Sequence, residues 1–87
     1  MYSVVFGDSF LASAKRLGRD VQKQLNHQIK ILVADPFHPK LHTKPLHGRL
    51  AGFYSFRVGR DYRVIFRITD IVIFLMKVSH RKEIYRS

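Results

Sequence analysis

Eighty-seven residues allow one domain with a small hydrophobic core. The chain has no cysteine, which excludes disulfides and thiolate metal sites, and no apolar run approaches the roughly 18 residues of a membrane-spanning helix. Sixteen Lys and Arg against six Asp and Glu give a net charge of +10, which predicts a polyanionic partner and exceeds the magnitude of about 2–8 that solubility alone needs.

The first strand is expected over residues 2–6, where β formers surround Ser3. Its opening Met-Tyr-Ser-Val-Val-Phe-Gly-Asp lacks the basic n-region of a signal peptide, so a cytoplasmic location is the default expectation. Asp8 or Ser9 can cap a helix carrying Phe10, Leu11, Ala14 and Leu17, which Gly18 breaks. Asp20 can cap a second helix, in which Val21, Leu25, Ile29 and Leu32 form one apolar stripe and Gln22, Lys23, Asn26 and Lys30 face water. Asp35-Pro36 ends it, because a residue before proline avoids the α region. The two helices should form an antiparallel hairpin.

Residues 35–52 hold all three prolines, three of the five histidines and two glycines, and are expected to form a long loop. His38, His42 and His47 lie in it at a spacing that matches no metal site. Histidines in water or near phosphate are the expectation, and neither a metal nor any other cofactor is implied. Three strands follow. Phe53–Val58 and Tyr62–Ile68 alternate, while Ile71–Val78 is apolar on both faces until Lys77, as a central strand should be. The order β-α-α-β-β-β predicts a single α+β domain over 1–87, with a two-helix hairpin on one face of a small, mostly antiparallel four-stranded sheet and the other face left largely open.

Parity sharpens this. Tyr54, Phe56 and Val58 share a face with Tyr62, Val64 and Phe66 only if an odd-numbered loop joins the strands, and the three-residue Gly59-Arg60-Asp61 satisfies that. Val58 then stands opposite Tyr62, Ser55 opposite Ile65, Phe53 opposite Arg67, and Arg57 opposite Arg63 on the uncovered face. Directly opposed like charges destabilise a sheet. Two guanidinium groups so placed are explained by a phosphate that takes bidentate bonds from both, although splaying into water or pairing with Asp61 or Asp70 would also relieve them. The last strand brings His80, Arg81, Lys82 and Tyr85 to its end. His moves protons near neutral pH, and Tyr85 can act as acid or base or stack on a base. Attack of an RNA 2′-hydroxyl on its own 3′-phosphate needs only such groups: one takes the proton, cations stabilise the growing charge, and one protonates the leaving oxygen.

The run Leu46-His-Gly-Arg-Leu-Ala-Gly-Phe-Tyr-Ser-Phe-Arg-Val-Gly-Arg-Asp-Tyr-Arg-Val-Ile-Phe-Arg-Ile68, followed by Val78-Ser-His-Arg-Lys-Glu-Ile-Tyr-Arg86, resembles the RelE/ParE toxin superfamily in its RelE-like branch. The resemblance implies the toxin of a type II toxin–antitoxin system, an endoribonuclease that cuts mRNA in the ribosomal A site until an antitoxin wraps it. It implies catalytic roles for Arg57, Arg63, Arg81 and Tyr85. RelE-like enzymes often carry a lysine where this chain has Ser55, a poor base, so His80 is the substitute candidate for proton abstraction. Lys15, Arg16, Lys23, Lys44, Arg49, Arg60, Arg67 and Lys82 are expected to contact RNA or the ribosome, and a cognate acidic antitoxin is the expected protein partner. A ParE-like gyrase poison without nuclease activity is the alternative.

Overall fold

The computed structural model describes residues 1–84. Strand β1 (Ser3–Phe6) leads into helices α1 (Asp8–Lys15) and α2 (Arg19–Ala34); β2 (Lys44–Pro45), β3 (Tyr54–Val58), β4 (Tyr62–Thr69) and β5 (Val72–His80) follow, and α3 (Arg81–Ile84) comes after them. The sheet has the order β1-β5-β4-β3-β2. β1 runs parallel to β5, and the remaining neighbours are antiparallel.

The α+β architecture matches the sequence pattern, with one strand more than expected. Within residues 35–52 the chain makes two 3₁₀ turns, Pro39–Leu41 and Gly48–Leu50, and the two-residue β2. Pro45 supplies no amide hydrogen, which suits an edge position. Both expected helix caps are displaced. Gly7 and Gly18 occupy the N-cap positions, and Asp8 and Asp20 fall in the first helical turns, where the helix dipole still favours a carboxylate. Gly7 is the point at which the chain leaves the sheet: its amide donates to the Leu75 carbonyl, and a Cβ there would lie 2.8 Å from that oxygen. The second helix does end before Asp35-Pro36, as read.

Helices cover one sheet face. Phe10 of α1 and Leu25 and Leu32 of α2 pack with Leu41 on Phe56, Val58, Val64, Phe66, Ile73, Leu75 and Val78. Burying each such side chain contributes about 1.5–3 kcal/mol. Beyond Leu75, α1 takes over the edge of β5 from β1, and the Ser13 hydroxyl accepts the Val78 amide hydrogen. The opposite face is less open than expected. Leu46, Ile65 and Ile84 form a second cluster there, with Leu50, Phe53 and Met76 against it.

The expected β3–β4 register is present: Val58 pairs with Tyr62, Arg57 with Arg63, and Ser55 with Ile65. β5 contains a bulge, since Ile65 pairs with Lys77 and Phe66 with Leu75, leaving Met76 without a partner of its own. The bulge inverts the alternation. Ile73 and Leu75 face the helices, and beyond Met76 it is Val78 that does so, opposite Val64.

Phe66→Ala, at the centre of the main core, is expected to lower unfolding free energy by about 3–5 kcal/mol in a denaturant titration. Gly59→Ala is expected to cost roughly 1 kcal/mol, because Gly59 has φ +63° and its new methyl would displace the Gln24 side chain.

Candidate functional site

The uncovered end of the sheet gathers basic side chains around the β3–β4 turn. Arg57, exposed on β3, stands across from Arg63 on β4, and Arg63 stands across from Ser79 on β5. Arg63 is only 6% exposed. Its Nη1 donates to the carbonyls of Arg60 at 3.2 Å and Tyr62 at 3.0 Å, which turns the guanidinium back toward the hairpin tip. Arg81 opens α3 beside the same tip. Its amide donates to the Asp61 carbonyl at 2.7 Å, and its Nε lies 3.8 Å from Asp61 Oδ1 in a half-exposed ion pair. Arg57, Arg60, Arg63 and Arg81 therefore surround one turn, with Asp61 as the carboxylate among them.

His80 is set differently. It pairs with Tyr62, its ring meets the Tyr62 ring edge-on at 5.6 Å, and its Nδ1 accepts the Lys82 amide hydrogen at 3.2 Å. Because of the bulge at Met76, His80 shares a face with Tyr62 and not with Arg63. Tyr85 lies outside the described residues.

The other expected RNA-contacting residues divide between surfaces. Arg67 shares the Arg63 face, its guanidinium lying over the rings of Phe53 at 6.0 Å and Phe74 at 5.5 Å. Lys44 pairs with Ser55 across β2 and β3, so an amine-bearing side chain rises beside the buried Ser55 hydroxyl. Arg49 lines a cleft with Leu50, Ile65, Lys77 and Glu83 on that face. Arg16, the C-cap of α1, borders an adjoining cleft that also includes Lys77 and Ser79. Lys15, Arg60 and Lys82 are exposed at element ends or in the hairpin loop, while Lys23 lies apart on the outer side of α2. Sequence reasoning missed Lys77 and Ser79. Their signal was available, since Lys77 is the first polar residue after the apolar run of β5. Among the described residues no cluster of His, Asp and Glu is suited to holding a metal ion, and no helix is long and apolar enough to cross a membrane.

A profile of the ParE toxin of the type II toxin–antitoxin system parDE matches residues 4–85. The chain belongs to this toxin family, within the RelE/ParE superfamily. It is similar to toxin YoeB of Streptomyces coelicolor, 29% identical over 62 residues that make up 71% of this chain and 74% of that one. It is also similar to toxin RelG of Mycobacterium tuberculosis, 44% identical over 45 residues, which cover 49% of this chain and about half, 51%, of the relative. Among solved structures, the RelBE2 toxin–antitoxin complex of Mycobacterium tuberculosis aligns with a TM-score of 0.78 at 28% identity, covering 92% of this chain and 98% of its own.

The two opposed arginines differ in what stability asks of them. Arg63→Lys, which removes a buried guanidinium whose Nη1 donates to two carbonyls, is expected to cost about 1–3 kcal/mol. The exposed Arg57→Lys is expected to stay within about 0.5 kcal/mol of the unaltered chain, with urea unfolding as the measurement for both.

Proposed function

We propose that this toxin is an endoribonuclease that cuts mRNA on the ribosome by attack of a 2′-hydroxyl on the adjacent 3′-phosphate. The observation that carries the reading is the placement of Arg57 and Arg63 directly opposite each other, with Arg81 at the same turn. Three guanidinium groups around one point suit a phosphorane whose equatorial oxygens gain charge as the new bond forms. The 2′-oxygen gives up its proton and forms the bond to phosphorus. The bond from phosphorus to the 5′-oxygen breaks, and that oxygen takes a proton; the products are a 2′,3′-cyclic phosphate and a 5′-hydroxyl. Arg57, Arg63 and Arg81 stabilise the charge, with Lys44 and Lys77 adding positive potential on the same face.

Tyr85 and His80 are the candidates for moving the protons. His80 is the weaker of the two on geometry, because it faces Tyr62 and its Nδ1 already accepts a hydrogen bond. The names YoeB and RelG among the relatives support the nuclease reading. The RelBE2 structure, a toxin with its antitoxin, supports a cognate antitoxin as the partner here. A charge of +10 and the edge positions of β1 and β2 in the sheet suit an acidic segment that wraps it. The ParE profile match favours a second reading, a gyrase inhibitor without nuclease activity.

Arg57→Ala and Arg81→Ala are each expected to slow cleavage of mRNA on programmed ribosomes by about 10²–10³-fold, the range seen when one charge-stabilising donor is removed. Tyr85→Phe is expected to slow it by about 10²–10⁴-fold if its hydroxyl transfers a proton. Unchanged cleavage in all three removes the catalytic assignment. In cells, induction should arrest translation; DNA damage and filamentation without translational arrest would support the gyrase reading.

A further inference from the structure

The helix side of the molecule carries a second basic surface that the Arg57–Arg63 row does not use. α2 presents Lys23, His27 and Lys30 outward at helical spacing. Two grooves, of about 400 and 380 Å³, meet at His27. The first runs past Lys23 and Gln28 to Gly59 at the hairpin tip, and the second runs past Lys30 to His38 and Lys40 of the 3₁₀ segment. Together they make one track, which extends roughly 10 Å along α2 between Lys23 and Lys30 at 1.5 Å per residue.

The walls of this track are fixed. Gln28 Nε2 donates to the carbonyl of Arg57 at 2.9 Å and to that of Lys40 at 3.2 Å, which joins α2 to the edge of β3 and to the 3₁₀ segment. Leu41 is fully buried and anchors that segment, and the Thr43 hydroxyl donates to the Pro36 carbonyl at 2.6 Å. His38 Nδ1 accepts the Lys40 amide hydrogen, so the neutral ring carries its proton on Nε2 as a donor. Among the described residues no acidic side chain lines either groove. The acids adjoining the track in the chain are Asp20, one turn before Lys23, Asp35, whose Oδ1 accepts the Phe37 amide hydrogen, and Asp61, two residues beyond Gly59 and paired with Arg81.

We propose that this track is a second nucleic-acid site, which holds the sugar–phosphate backbone of single-stranded RNA on the helix side of the molecule. The proposal rests on the RNA-directed reading in its choice of polyanion. The track ends at Gly59, two residues from Arg57, so one RNA strand can lie in it and pass over the hairpin tip toward the opposite sheet face. Phosphates need only cations and N–H donors, which the track supplies. An amphipathic peptide helix needs a row of large exposed apolar anchors; the track offers only the half-buried Ile31 and the small Ala34, and Val5, Phe6, Leu11 and Ile71, which are exposed, do not line it.

The test is binding of a single-stranded 2′-O-methyl RNA oligonucleotide, which cannot be cut because the attacking hydroxyl is capped. The triple variant Lys23→Gln, Lys30→Gln, Lys40→Gln is compared with the unaltered full chain. Its Kd at about 0.15 M salt is expected to rise tenfold or more. The slope of log Kd against log salt should fall by about 2, since each lost phosphate contact on a single strand removes roughly 0.7. The three side chains are exposed, so the thermal midpoint should hold. If the triple variant misfolds, each single substitution should still remove about one third of the slope change. Equal Kd and slope in variant and parent, or no binding by the parent, overturns the proposal. So does loss of affinity for poly-glutamate with RNA binding intact, which would make the track a protein site. Ribosomal cleavage by Arg57→Ala, measured separately, reports on the nuclease reading alone.

Discussion

The site depends on the register of one hairpin. Gly59-Arg60-Asp61 joins β3 to β4 with Gly59 in the left-handed region, and this turn sets Arg57 opposite Arg63. A slip of one residue would set Arg57 opposite Val64, turn Arg63 toward the core and bring Val64 and Phe66 out of it. The core therefore enforces the placement: the apolar halves of β3 and β4 lie under α2, and burial on that face outweighs the few tenths of a kcal/mol or more that opposed like charges cost on the other. The charge repulsion is held in place by packing that has no part in binding.

Within the arginine group the fold divides the work. Arg63 is buried and braced by two carbonyls of its own hairpin, so its guanidinium is fixed before any ligand arrives. Arg57 is exposed and free to follow a phosphate. Arg81 is carried by α3, whose Ile84 sits in the small cluster with Leu46 and Ile65 and whose first amide bonds to Asp61. That cluster explains why the second sheet face is not simply solvated. It anchors the element that brings the third guanidinium to the hairpin tip.

The helical stripe, the main elements in their order along the chain and the β3–β4 pairing were legible in the sequence because burial imposes period and parity, and both survive in the residue pattern. The bulge at Met76 was not read, although Val78 breaks the parity of Ile73 and Leu75, and that break is its signature. Simple alternation from Ile73 and Leu75 would put His80 on the arginine face, whereas the bulge turns it toward Tyr62. Strand β2 was illegible for another reason. Two residues, one of them proline, carry no periodicity, and only pairing with Tyr54 and Ser55 makes them a strand. The helix caps were misplaced because the choice was made by side-chain oxygen, while the chain turns at Gly7, where only a glycine clears the Leu75 carbonyl.

The central claim is that guanidinium groups from β3, β4 and α3 act on one phosphodiester. Arginine Nε–Hε resonances in a ¹H–¹⁵N spectrum, titrated with a 2′-O-methyl trinucleotide, test it directly. Convergence predicts that Arg57, Arg63 and Arg81 shift together and saturate with one Kd. Shifts confined to other arginines, with Arg57 and Arg63 unmoved at saturation, would contradict it.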